Sequence, residues 1–331
     1  MILVTGGTGF IGRRLVQRLN AQGEDVRLLV RPARRGRLAT GPEYELANGD
    51  VADRDAVQDA ARGCRLVYHL AACRGRWQAD PKEFARVNVQ GTRAVLDAAR
   101  ASGAECVVHV STGMVFGPTH GRPHTEEDRT QLKHYVNEYQ RTKVLADAEC
   151  ARASAAGLPV VTVFPTTVYG PARVVGESPI TDVARRFQRA RVVPLVGGDD
   201  CRRNLVYVDD VVDGLLAAGG IARPGEGYIL GGENVSPREL LDLLGDLTGR
   251  RVPRIRVPAW SARLVGAAAE AGAAITHRPP PVTRGTIEAL YTDWSTSSQK
   301  AEQELGYRPT PLREGLRRAL ELEPEKSTAP C

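Results

Sequence analysis

Along the first half of the chain, apolar positions come in short blocks separated by longer mixed stretches. Ile2-Leu3-Val4, Asp25 to Val30, Tyr44 to Ala47, Arg65 to Ala72 and Glu105 to Val110 are compact and mostly apolar. Blocks of this length fit strands buried on both faces of a parallel sheet. Between them the pattern turns helical, at Arg13 to Leu19, from about Asp53, and from Pro81 to about Ser102; a later helix follows from Tyr139 to Ala156. Strand, short loop and helix in repetition predict an α/β fold with a doubly wound parallel sheet. From Pro171 onward the alternation weakens. A helix is expected over Ile180–Arg191 and a short strand over Arg202–Val208, running into a helix at Asp209-Asp210. Ser236-Pro237-Arg238-Glu239 is a helix start, with Ser as cap, Pro in the first turn and Glu three residues on. Pro253–Pro258 reads as a strand-like connector. Ala259–Ala274 reads as an apolar helix that belongs to the core, with a pocket wall as the alternative, and Arg278-Pro279-Pro280-Pro281 stops it.

The first block runs into Thr5-Gly6-Gly7-Thr8-Gly9-Phe10-Ile11-Gly12 and then a helix. Glycines at 6, 9 and 12 suit a tight turn, a close backbone approach to a pyrophosphate and close helix–strand packing. The first helical turn, with Phe10, Ile11 and Gly12, presents unpaired N–H groups and a positive dipole end to phosphates. A dinucleotide site is therefore expected here. The second strand ends at Arg31, with Arg34 and Arg35 close behind. An acidic residue at this place would bind the free 2′-hydroxyl of NAD, and a basic one accommodates the 2′-phosphate of NADP. NADP is the expected cofactor, with NAD the alternative. Asp50 is a candidate acceptor for the adenine amino group and Val51 a contact for the ring. Leu70, Ala71 and Ala72 end the fourth strand and leave room for a cofactor to lie over it. His69 is expected to pack within that strand. Trp77, in the loop that follows, is a candidate pocket wall, as are Gly113 and Met114.

Tyr139 and Lys143 stand at i and i+4, on one face of a helix. A phenol titrates near pH 10, too high for efficient proton exchange near neutrality. A neighbouring ammonium and a cationic nicotinamide would lower it. Lys143 can also hold the nicotinamide ribose, and the Thr112 hydroxyl, at the end of the fifth strand, can orient a substrate oxygen. The glycine turn, Thr112, Tyr139 and Lys143 in that order point to hydride transfer on a bound cofactor.

Composition narrows the choice. The chain has 331 residues, 42% of them apolar and 25% charged, and a net charge of +6. This is the balance of a globular protein large enough for a substantial core. The basic residues are dispersed except around Arg31–Arg37, so no nucleic-acid partner is expected. No apolar run reaches bilayer length and no leader pattern precedes the glycine turn, so no membrane partner and a cytoplasmic location are expected. The six cysteines form no C-x-x-C pair, no Cys/His cluster has zinc spacing, and reduced thiols with no metal are expected.

The chain resembles the extended short-chain dehydrogenase/reductases, the family of nucleotide-sugar epimerases and dehydratases, 3β-hydroxysteroid dehydrogenases and dihydroflavonol reductases. The resemblance rests on the glycine turn, Gly49-Asp50-Val51, His69-Leu70-Ala71-Ala72, Asn88-Val89-Gln90-Gly91-Thr92, Ser111 to Gly117, Tyr139 with Lys143, Pro165 to Pro171, Asn204 to Val211 and Glu304 to Pro309. It implies a Rossmann-type sheet with a smaller C-terminal α/β substrate domain: residues 1–173 binding NADP, with later segments returning to it, 174–322 mainly binding substrate, and a flexible tail at 323–331. It implies that Thr112, Tyr139 and Lys143 are catalytic, that Asn88 and the segment from Pro165 to Val168 line the cofactor, and that the chain is a homodimer acting on a small molecule. Arg203 could bind a substrate diphosphate. Phe164 stands where the family often has Arg, and Asn204 where sugar-nucleotide enzymes have Asp. The similarity in Val30-Arg31-Pro32 and in Tyr228 to Asn234 is to dihydroflavonol reductase-like and hopanoid-associated epimerase-like members. The expected activity is NADPH-dependent ketoreduction. The alternatives are a nucleotide-sugar epimerase or dehydratase with recycled cofactor, and a cofactor sensor without catalysis.

Overall fold

The structure, a computed structural model, describes residues 1–38, 43–74, 80–129, 134–197, 201–276, 280 and 282–321. Trp77, His277 and the tail at 323–331 lie outside them.

The strands are β1 (Ile2–Thr5), β2 (Val26–Val30), β3 (Glu45–Asn48), β4 (Leu66–His69), β5 (Cys106–Val110), β6 (Val160–Pro165), β7 (Thr167–Tyr169), β8 (Val193–Leu195), β9 (Arg203–Tyr207), β10 (Gly227–Leu230), β11 (Glu233–Val235) and β12 (Arg254–Arg256). The helices are α1 (Phe10–Ala21), α2 (Arg54–Ala61), α3 (Lys82–Ala85), α4 (Gly91–Ser102), α5 (Glu138–Ala155), α6 (Pro179–Arg189), α7 (Val208–Ile221), α8 (Pro237–Thr248), α9 (Ala259–Thr276), α10 (Arg284–Leu290), α11 (Gln299–Leu305) and α12 (Leu312–Glu321).

Seven strands form one sheet in the order β10-β6-β5-β4-β1-β2-β3, and every pairing is parallel. Apolar side chains fill both faces, as the uninterrupted apolar blocks require. Leu15, Leu19, Val211 and Leu215 pack on one face, and Val57, Val95, Ala99 and Val67 belong to the core of the other. The strand order reverses between β1 and β4, the crevice where ligands bind in such sheets. Small sheets β11-β9-β7 and β12-β8 carry the later chain. They bound a third core that includes Phe187, Leu244 and Leu316.

Four expectations change in detail. The long helix over 81–102 is two helices joined by a π-turn at Arg86–Gln90, which lets the buried Asn88 reach out of the helical path. The fourth strand stops at His69, because the chain turns away once the Leu70 amide has bonded to the Thr5 carbonyl. The helix expected to run to Arg191 ends at Arg189. The apolar helix α9 is only partly core: Ala262, Gly266 and Ala273 face inward, while Trp260 is 67% and Leu264 63% exposed. Gly266 explains this, since a Cβ there would lie 2.7 Å from Ile287 Cδ1. The helix packs closely through its small residues and leaves the large ones outside.

The five cysteines among the described residues are free. No described helix is long and apolar enough to cross a membrane, and no group of His, Cys, Asp or Glu among the described residues could hold a metal.

Candidate active site

The cradle at the start of the chain is built by close approach. Gly6 has φ +74°, and a Cβ there would lie 2.6 Å from the Ala71 nitrogen. A Cβ on Gly12 would lie 2.3 Å from the Gly6 carbonyl oxygen, and one on Gly9 3.2 Å from the same atom. Gly9 caps α1 without a side-chain hydrogen bond, so the first-turn amides of Phe10, Ile11 and Gly12 keep no intrahelical partner. A space kept clear of Cβ atoms in front of unpaired amides fits a dinucleotide pyrophosphate. Phe10 contributes by its backbone, since its ring is buried against Ala172 and Val208. Val168 packs on the same cluster, which brings the segment after β6 beside the cradle.

At the adenosine end, Arg31 Nη1 lies 3.7 Å from Asp50 Oδ2, and Arg86 donates to both Asp50 oxygens at 3.1 and 3.3 Å. Burial opposes ionisation of Asp50, but the Arg86 hydrogen bonds, the Ala52 amide and the nearby charges outweigh it and hold the carboxyl below its usual range. Arg86 is further fixed by Glu83. Sequence reading missed Arg86, because the pairing depends on how the π-turn faces the end of β3. Arg34 lies in the turn after Arg31, half-buried. Val51 is buried against α4, where a Cβ on Gly91 would lie 2.8 Å from Val51 Cγ2.

Asn88 is held by three hydrogen bonds. Its Oδ1 accepts from the Cys73 amide at 2.7 Å, and its Nδ2 donates to the Cys73 carbonyl and to Thr142 Oγ1, both at 3.0 Å. It thus clamps the loop after Leu70, Ala71 and Ala72 to α5. His69 packs as expected: its Nδ1 is 2.8 Å from Thr5 Oγ1 and its Nε2 3.0 Å from Thr92 Oγ1. The Thr92 hydroxyl donates to the Asn88 carbonyl, so His69 Nε2 carries the proton and the ring is neutral. Burial, the neighbouring His109 and Lys143 push its pKa well below the ordinary value.

Thr112 ends the strand run of β5 and caps the 3-10 turn Gly113–Phe116, its Oγ1 accepting from the Met114 amide at 3.3 Å. Gln140 donates to the Met114 carbonyl at 2.7 Å and accepts from the Val136 amide at 2.8 Å, which draws the start of α5 onto this turn. Tyr139 is thereby brought to the Thr112 end of this turn, where the Thr112 hydroxyl favours its phenolate. Gly113 stands over Pro165 and Thr166, where a Cβ would sit 3.4 Å from Thr166 Cγ2. The structure thus brings Thr112, Gly113, Met114, Tyr139 and the start of the Pro165–Val168 segment together.

Lys143 is 2% exposed. Its Nζ donates to the Val110 carbonyl at 2.9 Å and lies 3.3 Å from His109 Nε2. Burial lowers its pKa, against the charge of Asp147. Burial raises the Tyr139 pKa, and the opposing influences are the charge of Arg74 and the Thr112 hydroxyl. Sequence reading missed Arg74, His109 and Asp147. Asp147 had a signal, since it follows Lys143 by four residues on the same helical face.

Arg203 begins β9 and donates to the Ala289 carbonyl at the end of α10, which also accepts from Trp294 Nε1 at 3.0 Å. Asn204, the departure beside it, is a buried hub. Its Oδ1 accepts from Thr166 Oγ1 at 2.8 Å and from the Gly232 amide at 2.7 Å, and its Nδ2 donates to the Gly232 carbonyl at 3.0 Å.

Known proteins are similar to this chain in sequence and fold. The family model for the NAD dependent epimerase/dehydratase family matches residues 2–231. Sterol demethylase protein B of Methylococcus capsulatus is 32% identical over 320 residues, 94% of this chain and 94% of that protein. The 4-hydroxy-2-methyl-3-oxo-4-farnesyl-3,4-dihydroquinoline-1-oxide ketoreductase of Stigmatella aurantiaca is 31% identical over 312 residues, 92% of this chain and 90% of that protein. MoeE5 in complex with UDP-glucose and NAD has a TM-score of 0.75 at 27% identity, covering 97% of each chain. The family match ends just after β10, the last strand of the seven-stranded sheet. The chain belongs to the NAD dependent epimerase/dehydratase family and is an NAD(P)-dependent oxidoreductase of the extended short-chain dehydrogenase/reductase type.

Proposed function

We propose that the chain is an NADPH-dependent ketoreductase acting on a small-molecule carbonyl, of natural-product, flavonoid-like or sugar ketone class. The observation that carries this reading over sugar-nucleotide chemistry is the engagement of Arg203. One N–H of its guanidinium, the expected diphosphate contact, already serves the end of α10. The ketoreductase relative supports the same direction. Arg31, 46% exposed in its side chain and next to Asp50, supports NADPH over NADH.

The cofactor, when bound, supplies the hydride. Its pyrophosphate would rest on Gly6, Gly9 and the amides of Phe10, Ile11 and Gly12. Its nicotinamide end would reach Pro165 and Val168. Tyr139 is protonated in the chain alone because burial disfavours phenolate, so it stands ready as a proton donor. Thr112, beside it, would orient the carbonyl oxygen. Lys143 would hold the nicotinamide ribose and keep a positive charge near the phenol as its proton leaves. A homodimer through α4 and α5 belongs to the same reading.

Tyr139→Phe is expected to cut carbonyl turnover by about a hundred- to ten-thousand-fold while NADPH binding persists. Retained turnover removes Tyr139 from the reaction, and a lower KM for NADH than for NADPH removes the cofactor assignment. The epimerase reading is favoured by MoeE5, which was captured with UDP-glucose and NAD. Oxidised cofactor that stays with the purified protein through washing would select it. Dehydration is disfavoured, because Gly113 and Met114 put no acid after Thr112.

A further inference from the structure

Behind Lys143 lies a buried polar group that the reaction above leaves unused. A row of polar side chains crosses the sheet in register: Thr5 on β1, His69 on β4, His109 on β5 and Thr162 on β6. His109 is 1% exposed. Its Nε2 lies 3.3 Å from Lys143 Nζ and 3.3 Å from Asp147 Oδ1. Asp147 sits one turn beyond Lys143 on α5, and its other oxygen accepts from Ser111 Oγ at 2.8 Å. Ser111 directly precedes Thr112. One imidazole nitrogen therefore stands between a buried ammonium and a carboxylate that is 12% exposed. A neutral ring serves the ammonium only through the lone pair on Nε2, with the proton on Nδ1. Nδ1 has no hydrogen-bond partner among the described residues, so the ring is not held to one tautomer from the far side.

An ammonium has three protons to place. The Val110 carbonyl takes one. We propose that His109 is a positioning residue that takes the second, which directs the third N–H of Lys143 toward the cofactor ribose and Tyr139, and that Asp147 supplies the counter-charge that keeps Lys143 an ammonium inside the core. The inference rests on the catalytic reading of Lys143 and Tyr139 and deepens it.

The surrounding charges agree. Burial and the Lys143 charge push His109 down to about 4, against Asp147, so the ring is neutral near pH 7 and free to accept. His69 is neutral as well. Cys150, on α5, stays a thiol because burial raises it. Arg129 and Arg74 add positive charge at longer range, on His109 and Tyr139 respectively. Asp147 is thus the nearby anion.

The test is the titration of Tyr139 in the protein saturated with NADP+, read as tyrosinate difference absorbance with Tyr139→Phe as the blank. His109→Leu removes the acceptor without changing charge, and the phenol midpoint is expected to rise by about one pH unit as the ammonium is lost or misdirected. His109→Gln restores an acceptor and is expected to return most of the shift. Asp147→Asn gives the sharper sign. Removing a negative charge alone lowers a phenol midpoint, so a rise is expected only if Lys143 has lost its proton. Should His109→Leu fail to fold, as read by its thermal melt, His109→Phe replaces it. A midpoint unchanged in the His109 variants, or lowered in Asp147→Asn, overturns the proposal. The catalytic reading fails separately: Tyr139→Phe that still turns over a carbonyl sinks that reading, whereas an inactive Tyr139→Phe beside an unshifted His109→Leu sinks only this one.

Discussion

At Gly12 the cofactor site and the packing of the sheet meet in one missing side chain. The atoms a methyl would strike are the Gly6 carbonyl oxygen at 2.3 Å and Gly7 Cα at 2.9 Å. Both are backbone, so neither can rotate aside. Gly12→Ala is expected to lower stability by about 1–3 kcal/mol and to weaken NADPH binding at least tenfold. A thermal melt and a fluorescence titration with NADPH read the two effects. Unchanged affinity would remove the pyrophosphate from this turn. Residues of this kind could be read from the sequence, because their chemistry is tied to local spacing: the glycines to a turn, Tyr139 and Lys143 to one helical face. Arg86, Arg74 and His109 could not. Their roles depend on which strand ends and helix turns the fold sets side by side, and no local pattern records that. Asp50 shows the cost of the difference. It was legible as a polar contact at the end of β3, but its carboxylate is already bound by an arginine 36 residues away in the chain.

Among the elements, those with a local signature were the ones anticipated. Helix α8 begins as its sequence says: the Ser236 hydroxyl accepts from the Glu239 amide at 3.2 Å, and the Glu239 carboxylate accepts from the Ser236 amide at 2.8 Å. That carboxylate also takes both Arg202 nitrogens, which ties the helix start to β9. Ser236→Ala is expected to cost about 1 kcal/mol, seen as a lower urea midpoint at unchanged slope. A variant as stable as the wild type would mean that Arg202 and Pro237 alone set the helix start. The elements that escaped were those whose signature lies elsewhere in the chain. Strand β10 is only four residues long, and it is held as a strand by parallel pairing with β6. The π-turn escaped because nothing in Arg86–Gln90 distinguishes a widened helical turn from a plain one. The turn widens there to let Asn88 reach Cys73 and Thr142. Helix α9 is legible as a helix but not as a half-exposed one, since apolar content does not say which apolar residues point inward.

Over the whole molecule, later segments return to the first sheet. Strand β10 closes its edge, and α7 and α11 share the core with strands β1 and β6. Arg13 on α1 holds Glu177 through two hydrogen bonds, 2.9 and 3.1 Å, with side chains 8% and 10% exposed. A fragment of residues 1–173 would lack all of these and would present β6 as a bare, apolar edge. It is expected to partition into the insoluble fraction on expression to a greater extent than the full chain. A monomeric fragment with a cooperative melt would show that the first half folds alone.

The same return of β10 sets an order of events during synthesis. When β6 has left the ribosome, its partner strand still lies beyond Pro165, at Gly227 to Leu230. At roughly 5–20 residues per second the wait lasts several seconds. For that interval the nascent chain carries an open apolar strand beside a nearly finished sheet, and a holding chaperone or a slow codon between the two strands would change its yield more than any substitution at the active site.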